Sequence, residues 1–169
     1  MNDQNRNDQN QLDAGSLALD DLRAVRAELQ HQDDAVSYVR RLAQARLDFV
    51  RAEMRNRADG SDRDISDEIP NVIGSHLTGG APRPPRPADD FSAHPLAVEL
   101  EVLCDDACST DLPAMNHEEL ASYASRLHEF EQKRSNERRD LFLRIDTLSA
   151  ELVRRYRDGE ANVEGLLVE

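Results

Sequence analysis

Apolar residues along the chain fall into two helical stripes separated by a stretch where the periodicity lapses. The first stripe is Leu22, Val25, Leu29, Val36, Val39, Ala43, Val50 and Met54. It advances in steps of three, four or seven residues, the spacing that keeps side chains on one seam of a paired helix. Gln32 and Arg46 occupy the skipped positions. This stripe predicts a helix over 16–57, with Ser16 or Asp20 as its N-cap and Ala58-Asp59-Gly60-Ser61-Asp62 as its stop. The second stripe is Leu120, Tyr123, Leu127, Phe130, Leu141, Ile145, Leu148, Leu152 and Tyr156, and it predicts a helix over 116–158. Asn116 suits its N-cap and Glu118-Glu119 its first turn, while Arg154, Arg155 and Arg157 face the negative end of the helix dipole before Asp158-Gly159 ends it.

Between the stripes, residues 58–115 read as a linker. Gly79-Gly80-Ala81-Pro82-Arg83-Pro84-Pro85-Arg86-Pro87 cannot be the interior of a helix or sheet, because proline lacks a donor and restricts its neighbour. Two apolar islands interrupt the polar sequence. One holds Ile65, Ile69, Val72, Ile73 and Leu77; the other is Leu96 to Leu103. The second alternates enough for a strand, but Pro95 suits a first helical position, and helix is the preferred reading. Such islands dock back onto the parent chain or onto a partner, and the sequence leaves both open. Tails 1–15 and 159–169 complete the organisation, the first a low-complexity polar segment expected to be disordered. The fold expected is all-α: two long helices in an elongated coiled-coil hairpin, joined by a long, largely disordered acidic linker with short helical islands. The linker can span either helix direction, and antiparallel is the preferred arrangement.

Composition sharpens this picture. With 33 % charged residues, 4 % aromatics and no Trp, the chain can bury a seam between helices but not a broad core. The net charge of −13 is unevenly spread. Residues 16–57 hold 8 Arg against 7 acids, and 116–158 hold 9 Lys and Arg against 9 acids. Residues 58–115 hold 3 Arg against 12 acids. An acidic linker argues against direct nucleic-acid or anionic-membrane binding and suits a basic partner, such as a DNA-binding protein. No 18-residue apolar run and no signal peptide are evident, and Cys104 and Cys108 do not make a disulfide framework. A cytoplasmic location is expected.

A polar pattern lies beside the first seam. Asp33, Ser37, Arg40, Gln44 and Asp48 are spaced 4, 3, 4 and 4 residues apart. At ~100° per residue they fall within an arc of roughly 80°. On the second helix the apolar seam fails between Phe130 and Leu141, and Glu131 to Asp140 contains no apolar residue. Glu131, Ser135, Arg138, Phe142 and Asp146 repeat the same spacing there, with Phe where the first copy has Gln. One such row reads as a solvated face laced with i, i+4 pairs. Two copies, one on each long helix, argue for a site.

On these residues the chain resembles the RsiG family of actinobacterial anti-sigma factors. That family's helical hairpin carries, once per helix, a motif of Glu, Ser, Arg, Gln and Asp at this spacing. The resemblance covers both helices. It implies that the motif binds cyclic di-GMP and that the ligand-loaded protein sequesters the sporulation sigma factor WhiG. There are two departures: Asp33 shortens the usual Glu by one methylene, and Phe142 replaces an amide with a ring that can stack. The chemistry suits the ligand. Arginine presents a planar fork to guanine O6 and N7, a carboxylate accepts from base N–H groups, and hydroxyl and amide groups fit phosphate, ribose or base edges. Expected roles follow: Arg40 and Arg138 read guanine, and Asp48 and Asp146 meet a Watson–Crick edge. Asp33, Ser37, Gln44, Glu131 and Ser135 complete the network. Two rows related by the approximate symmetry of a helix pair suit a two-fold ligand or a dimer of it.

The expected partners are therefore cyclic di-GMP and a sigma factor of the WhiG, sporulation or flagellar type, with no membrane contact. Cys104-x3-Cys108 near His94 and His117 fits no common zinc spacing, including the His-Cys-Cys arrangement of zinc-containing anti-sigma factors, so no metal is expected. No Gly-rich phosphate loop and no nucleophile–base arrangement stand out, so the protein is not expected to be an enzyme. The competing reading is a ligand-independent coiled-coil adaptor that recruits partners through its apolar linker segments.

Overall fold

Helix formation follows the two stripes. The computed structural model describes residues 13–60, 89–107 and 112–159. Outside them lie the first apolar island, the Pro/Gly segment, Cys108 and most of both tails. The described residues form α1 (Leu19–Ala58), α2 (Pro95–Asp106), a 3-10 turn (Leu112–Ala114) and α3 (His117–Arg157), with no strand among them. All-helical architecture is what the periodicity requires. The chain divides into two units: Met1–Asp33 with Arg139–Glu169, and Asp34–Arg138. The two long helices, of 40 and 41 residues, contribute to both.

The helix stops act through their glycines. Gly60 and Gly159 follow the last turns of α1 and α3 with φ of 61° and 76°, a left-handed conformation in which a side chain would clash with its own backbone. The start of α3 is a reciprocal capping box. The Asn116 side chain accepts from the Glu119 N–H at 3.0 Å, and the Glu119 carboxylate accepts from the Asn116 N–H at 2.7 Å. At α1 the expected caps are corrected. Asp13 closes a turn by accepting from the Gly15 N–H, and the Ser16 hydroxyl donates to the Asp13 carbonyl at 2.8 Å, so Ser16 is consumed there. Asp20 sits inside the first helical turn and pairs with Arg23 at 3.0 Å.

The first unit buries Leu22 and Leu29 of α1 and Leu141, Ile145, Leu148 and Leu152 of α3. Arg23 donates to the Tyr156 hydroxyl, and Arg26 Nε donates to Ser149 Oγ at 2.8 Å. Partner numbers fall along α3 as they rise along α1, so the helix segments of this unit run antiparallel. Arg155, itself buried, gathers the chain ahead of α1 by donating to the carbonyls of Leu17, Ala14 and Gly15. Ala14 and Gly15, which the sequence assigns to the polar tail, are thus anchored.

The second unit has the larger core. Val39, Ala43, Leu47 and Val50 of α1 meet Leu120, Tyr123, Leu127 and Phe130 of α3, and Ala97, Leu100 and Cys104 of α2 pack into the same cluster. Here too the helices run antiparallel: Arg40 pairs with Glu131, while Arg57 donates to the carbonyls of Met115 and Leu112. The second apolar island is therefore a helix that docks back on its own chain. His94 caps it, its Nδ1 accepting from the Leu96 N–H at 3.2 Å, with Pro95 at the first helical position. Phe91, just ahead of α2, packs against Tyr38 with the rings tilted by 42° and their centres 6.0 Å apart.

The docking of α2 explains why Arg46 interrupts the α1 stripe. Its guanidinium turns to α2, donating to Glu101 at 2.6 Å and to Cys104 Sγ at 2.9 Å, while its neighbour Leu47 takes the buried position. Burial alone opposes its charge, but the Glu101 hydrogen bond and the nearby Glu101 and Cys104 groups outweigh that cost and raise its pKa. Among the described residues, no helix is long and apolar enough to cross a membrane.

Candidate functional site

In the second unit the apolar seam of α3 ends at Phe130, and the next turns bring side chains of both motif copies together. Glu131 is the hub. Its Oε1 accepts from Ser135 Oγ at 2.8 Å, from Gln44 Nε2 at 3.1 Å and from Arg40 Nη1 at 3.3 Å. Ser135 lies one turn along α3, whereas Gln44 and Arg40 reach across from α1. The acid of the second copy is thus held by the cation and the amide of the first. The Arg40 and Glu131 side chains are 19 % and 14 % exposed, low enough for the pair to be little screened by solvent yet still accessible.

The other motif positions are placed as follows. Ser37 is buried one turn before Arg40 on α1, and Asp48, one turn past Gln44, is half-buried. Arg138 is half-buried one turn after Ser135. Asp33, Phe142 and Asp146 belong to the first unit. There Asp33 is half-buried, Asp146 is exposed, and the Phe142 ring is 39 % exposed. Arg40, Gln44, Glu131 and Ser135 share one hydrogen-bond network.

This network satisfies Glu131 but does not exhaust Arg40. Arg40 Nε is buried and meets no hydrogen-bond acceptor. Buried donors without partners are uncommon, because each forfeits its hydration with nothing in return. The same holds for Arg134 Nε, which lies outside the motif rows, so the feature is not specific to the motif.

The sequence reading missed Arg134. It stands four residues after Phe130 and seven before Leu141, on the seam itself, and is only 3 % exposed. Its guanidinium lies 5.1 Å from the Phe130 ring centre and pairs with Glu137 at 3.1 Å and Glu99 of α2 at 3.8 Å. The gap in the apolar stripe is thus partly filled by an arginine stacked on a ring. The signal was available: extending the three-and-four spacing through the gap lands on Arg134.

Among the described residues, no group of three or more His, Cys, Asp or Glu side chains is placed to hold a metal ion. Cys104 is a buried thiol that receives the Tyr123 hydroxyl at 3.2 Å.

Comparison with protein families decides the relationship. The sequence model of one family, described as RsiG-like, matches residues 8–73 and 106–169, well over half of the chain. The chain belongs to the RsiG-like family. No curated protein matches it. The RsiG-like family is one of regulatory anti-sigma factors rather than enzymes, so a sigma factor is the class of partner that membership indicates. Both motif rows, 33–48 and 131–146, lie inside the RsiG-like match, whereas α2 falls between the matched stretches except for Asp106.

Proposed function

We propose that this protein is an anti-sigma factor that binds cyclic di-GMP through its two motif rows and, with ligand bound, sequesters a sporulation or flagellar-type sigma factor of the WhiG kind. The observation that carries the reading is the meeting of Arg40 and Gln44 with Glu131. Side chains from two copies of one motif converge on a single carboxylate, inside a chain of the RsiG-like family.

The chemistry of the chain's own residues then runs as an exchange of partners. Arg40 leaves Glu131 and turns its fork to the O6 and N7 edge of a guanine, with Arg138 in the same role on α3. Asp48 and Asp146 accept from guanine N–H groups, while Ser37, Gln44 and Ser135 hold phosphate or ribose oxygens. Asp33 and Glu131 balance the arginines, and Phe142 offers a ring face to a base. Cyclic di-GMP supplies two guanines and two phosphates in a two-fold arrangement, matching two rows from a helix pair, singly or as a dimer. A coupling of about 1–3 kcal/mol between ligand and sigma factor is enough for a usable switch.

One observation favours the ligand-independent adaptor: Arg40 and Gln44 already have a partner in Glu131. Run-off transcription by RNA polymerase loaded with a WhiG-type sigma factor separates the two readings. Repression that requires both this protein and cyclic di-GMP supports the switch. Repression of equal strength without the ligand supports the adaptor, and absence of repression in every condition removes the anti-sigma role.

A further inference from the structure

Both long helices reach α2, and they reach it beside the motif network. From α1, Arg46 donates to Glu101 at 2.6 Å and to Cys104 Sγ at 2.9 Å. From α3, the Tyr123 hydroxyl donates to the same sulfur at 3.2 Å. Arg126 of α3 pairs with Asp106 at 3.4 Å, and Lys133 and Arg134 pair with Glu99 at 3.6 and 3.8 Å. One buried thiol thus accepts from both long helices, and the acids of α2 tie it to each of them. A twelve-residue helix is marginal on its own, so α2 owes its order to this docking.

The motif network crosses between the same two helices at the same level. Arg40 and Gln44 of α1 meet Glu131 of α3, which also holds Ser135. Arg46 lies two residues past Gln44, and Arg134 lies one residue before Ser135. The spacing of α1 and α3 is therefore set here twice, by the network and by α2. At about 100° per residue Arg46 projects from the opposite side of α1 to Gln44 and Asp48, so it acts on the motif row only through α2.

We propose that Arg46 is a positioning residue of the nucleotide site: by holding α2 across the pair, it fixes the helix spacing at which the two motif rows close on one ligand. The proposal rests on the cyclic di-GMP reading and adds to it a residue outside both rows and an element that lies, except for Asp106, outside the family match. A site whose spacing is set in advance binds more tightly, because less ordering is left to the binding step. Linkage is also reciprocal. If a docked α2 favours the ligand, bound ligand must favour the docked α2 by the same factor.

The test uses the full-length protein and its Arg46→Met, Arg46→Lys and Glu99→Gln variants, with far-UV circular dichroism to check that helix content is retained. Cyclic di-GMP affinity is measured by calorimetry, and amide protection over 96–106 is measured with and without the ligand. Arg46→Met should raise the Kd about fivefold or more, the lower end of ordinary coupling between sites. Arg46→Lys, which keeps a cation for Glu101, should stay near wild type. Glu99→Gln, which loosens α2 from α3 instead, should weaken binding in the same direction. Ligand should increase the protection of 96–106 in wild type, a change that a purely structural α2 would not show. Wild-type affinity in both Arg46→Met and Glu99→Gln, tighter binding in either, or α2 protection that ignores the ligand overturns the proposal and leaves the nucleotide reading intact. Wild-type protein that binds no cyclic di-GMP overturns both.

Discussion

Arg40 on α1 and Glu131 on α3 belong to different copies of one repeated motif, yet their side chains meet at 3.3 Å. Each row is therefore incomplete alone: the first supplies the cation and amide, and the second supplies the carboxylate that holds them. The repeat builds one network across a helix pair. Glu131 engages only Nη1 of Arg40, so the rest of the guanidinium fork can meet another acceptor without displacing it.

Removing the hub should weaken the resting protein. Glu131→Ala leaves Arg40, Gln44 and Ser135 without their shared acceptor in a half-buried setting. Leaving such groups unsatisfied costs about 1–3 kcal/mol. Urea unfolding of the ligand-free protein should show a loss of that size, and an unchanged midpoint would mean that water replaces Glu131 without cost.

The docked α2 depends on Leu100, which is fully buried between α1 and α3. Leu100→Ala removes its packing and opens a cavity, at a cost of about 2–5 kcal/mol. Amide hydrogen exchange along 96–106 should accelerate strongly in this variant. Equal protection in variant and wild type would show that the ion pairs at Glu99 and Glu101 hold α2 without its apolar face.

Acid should loosen the turn before α1. Hydrogen bonds from Arg154 and Arg155 hold the Glu151 carboxyl down at about 2, below its ordinary 4.5. A carboxyl lowered on folding stabilises the protein fully above its unfolded pKa, and that contribution fades as pH falls from 4.5 towards 2. Arg155 uses the same guanidinium to hold the carbonyls of Ala14, Gly15 and Leu17, so this turn should lose order over that window. Protection factors, which correct for the intrinsic pH dependence of amide exchange, should fall across the window in wild type and change less in Glu151→Gln. The same slope in both would assign the effect to other carboxyls.

The long helices were legible because their stripes keep one helical period on both sides of their interruptions and because Gly60, Gly159 and Asn116 punctuate them in the ordinary way. The repeated spacing stood out because it occurs once on each long helix. Two things were not. Arg46 looked like an interruption because a stripe records one neighbour, whereas this part of α1 has two, α3 and α2. Arg134 was hidden by its charge: a buried arginine stacked on Phe130 follows the apolar period but does not look apolar. The choice between self-docking and partner docking for 96–103 depends on contacts far apart in sequence, which local pattern does not encode. With α2 formed, Ala97, Leu100 and Cys104 face α1 and α3.

The most direct test of the nucleotide site is a calorimetric titration of cyclic di-GMP into the full-length protein and into its Arg40→Ala and Arg138→Ala variants. Removing a bidentate arginine–guanine contact costs about 1–3 kcal/mol. Saturable heat with wild type, and affinity lowered about tenfold or more in each variant, is the expected result. No heat with wild type, or equal affinity in all three proteins, would contradict it.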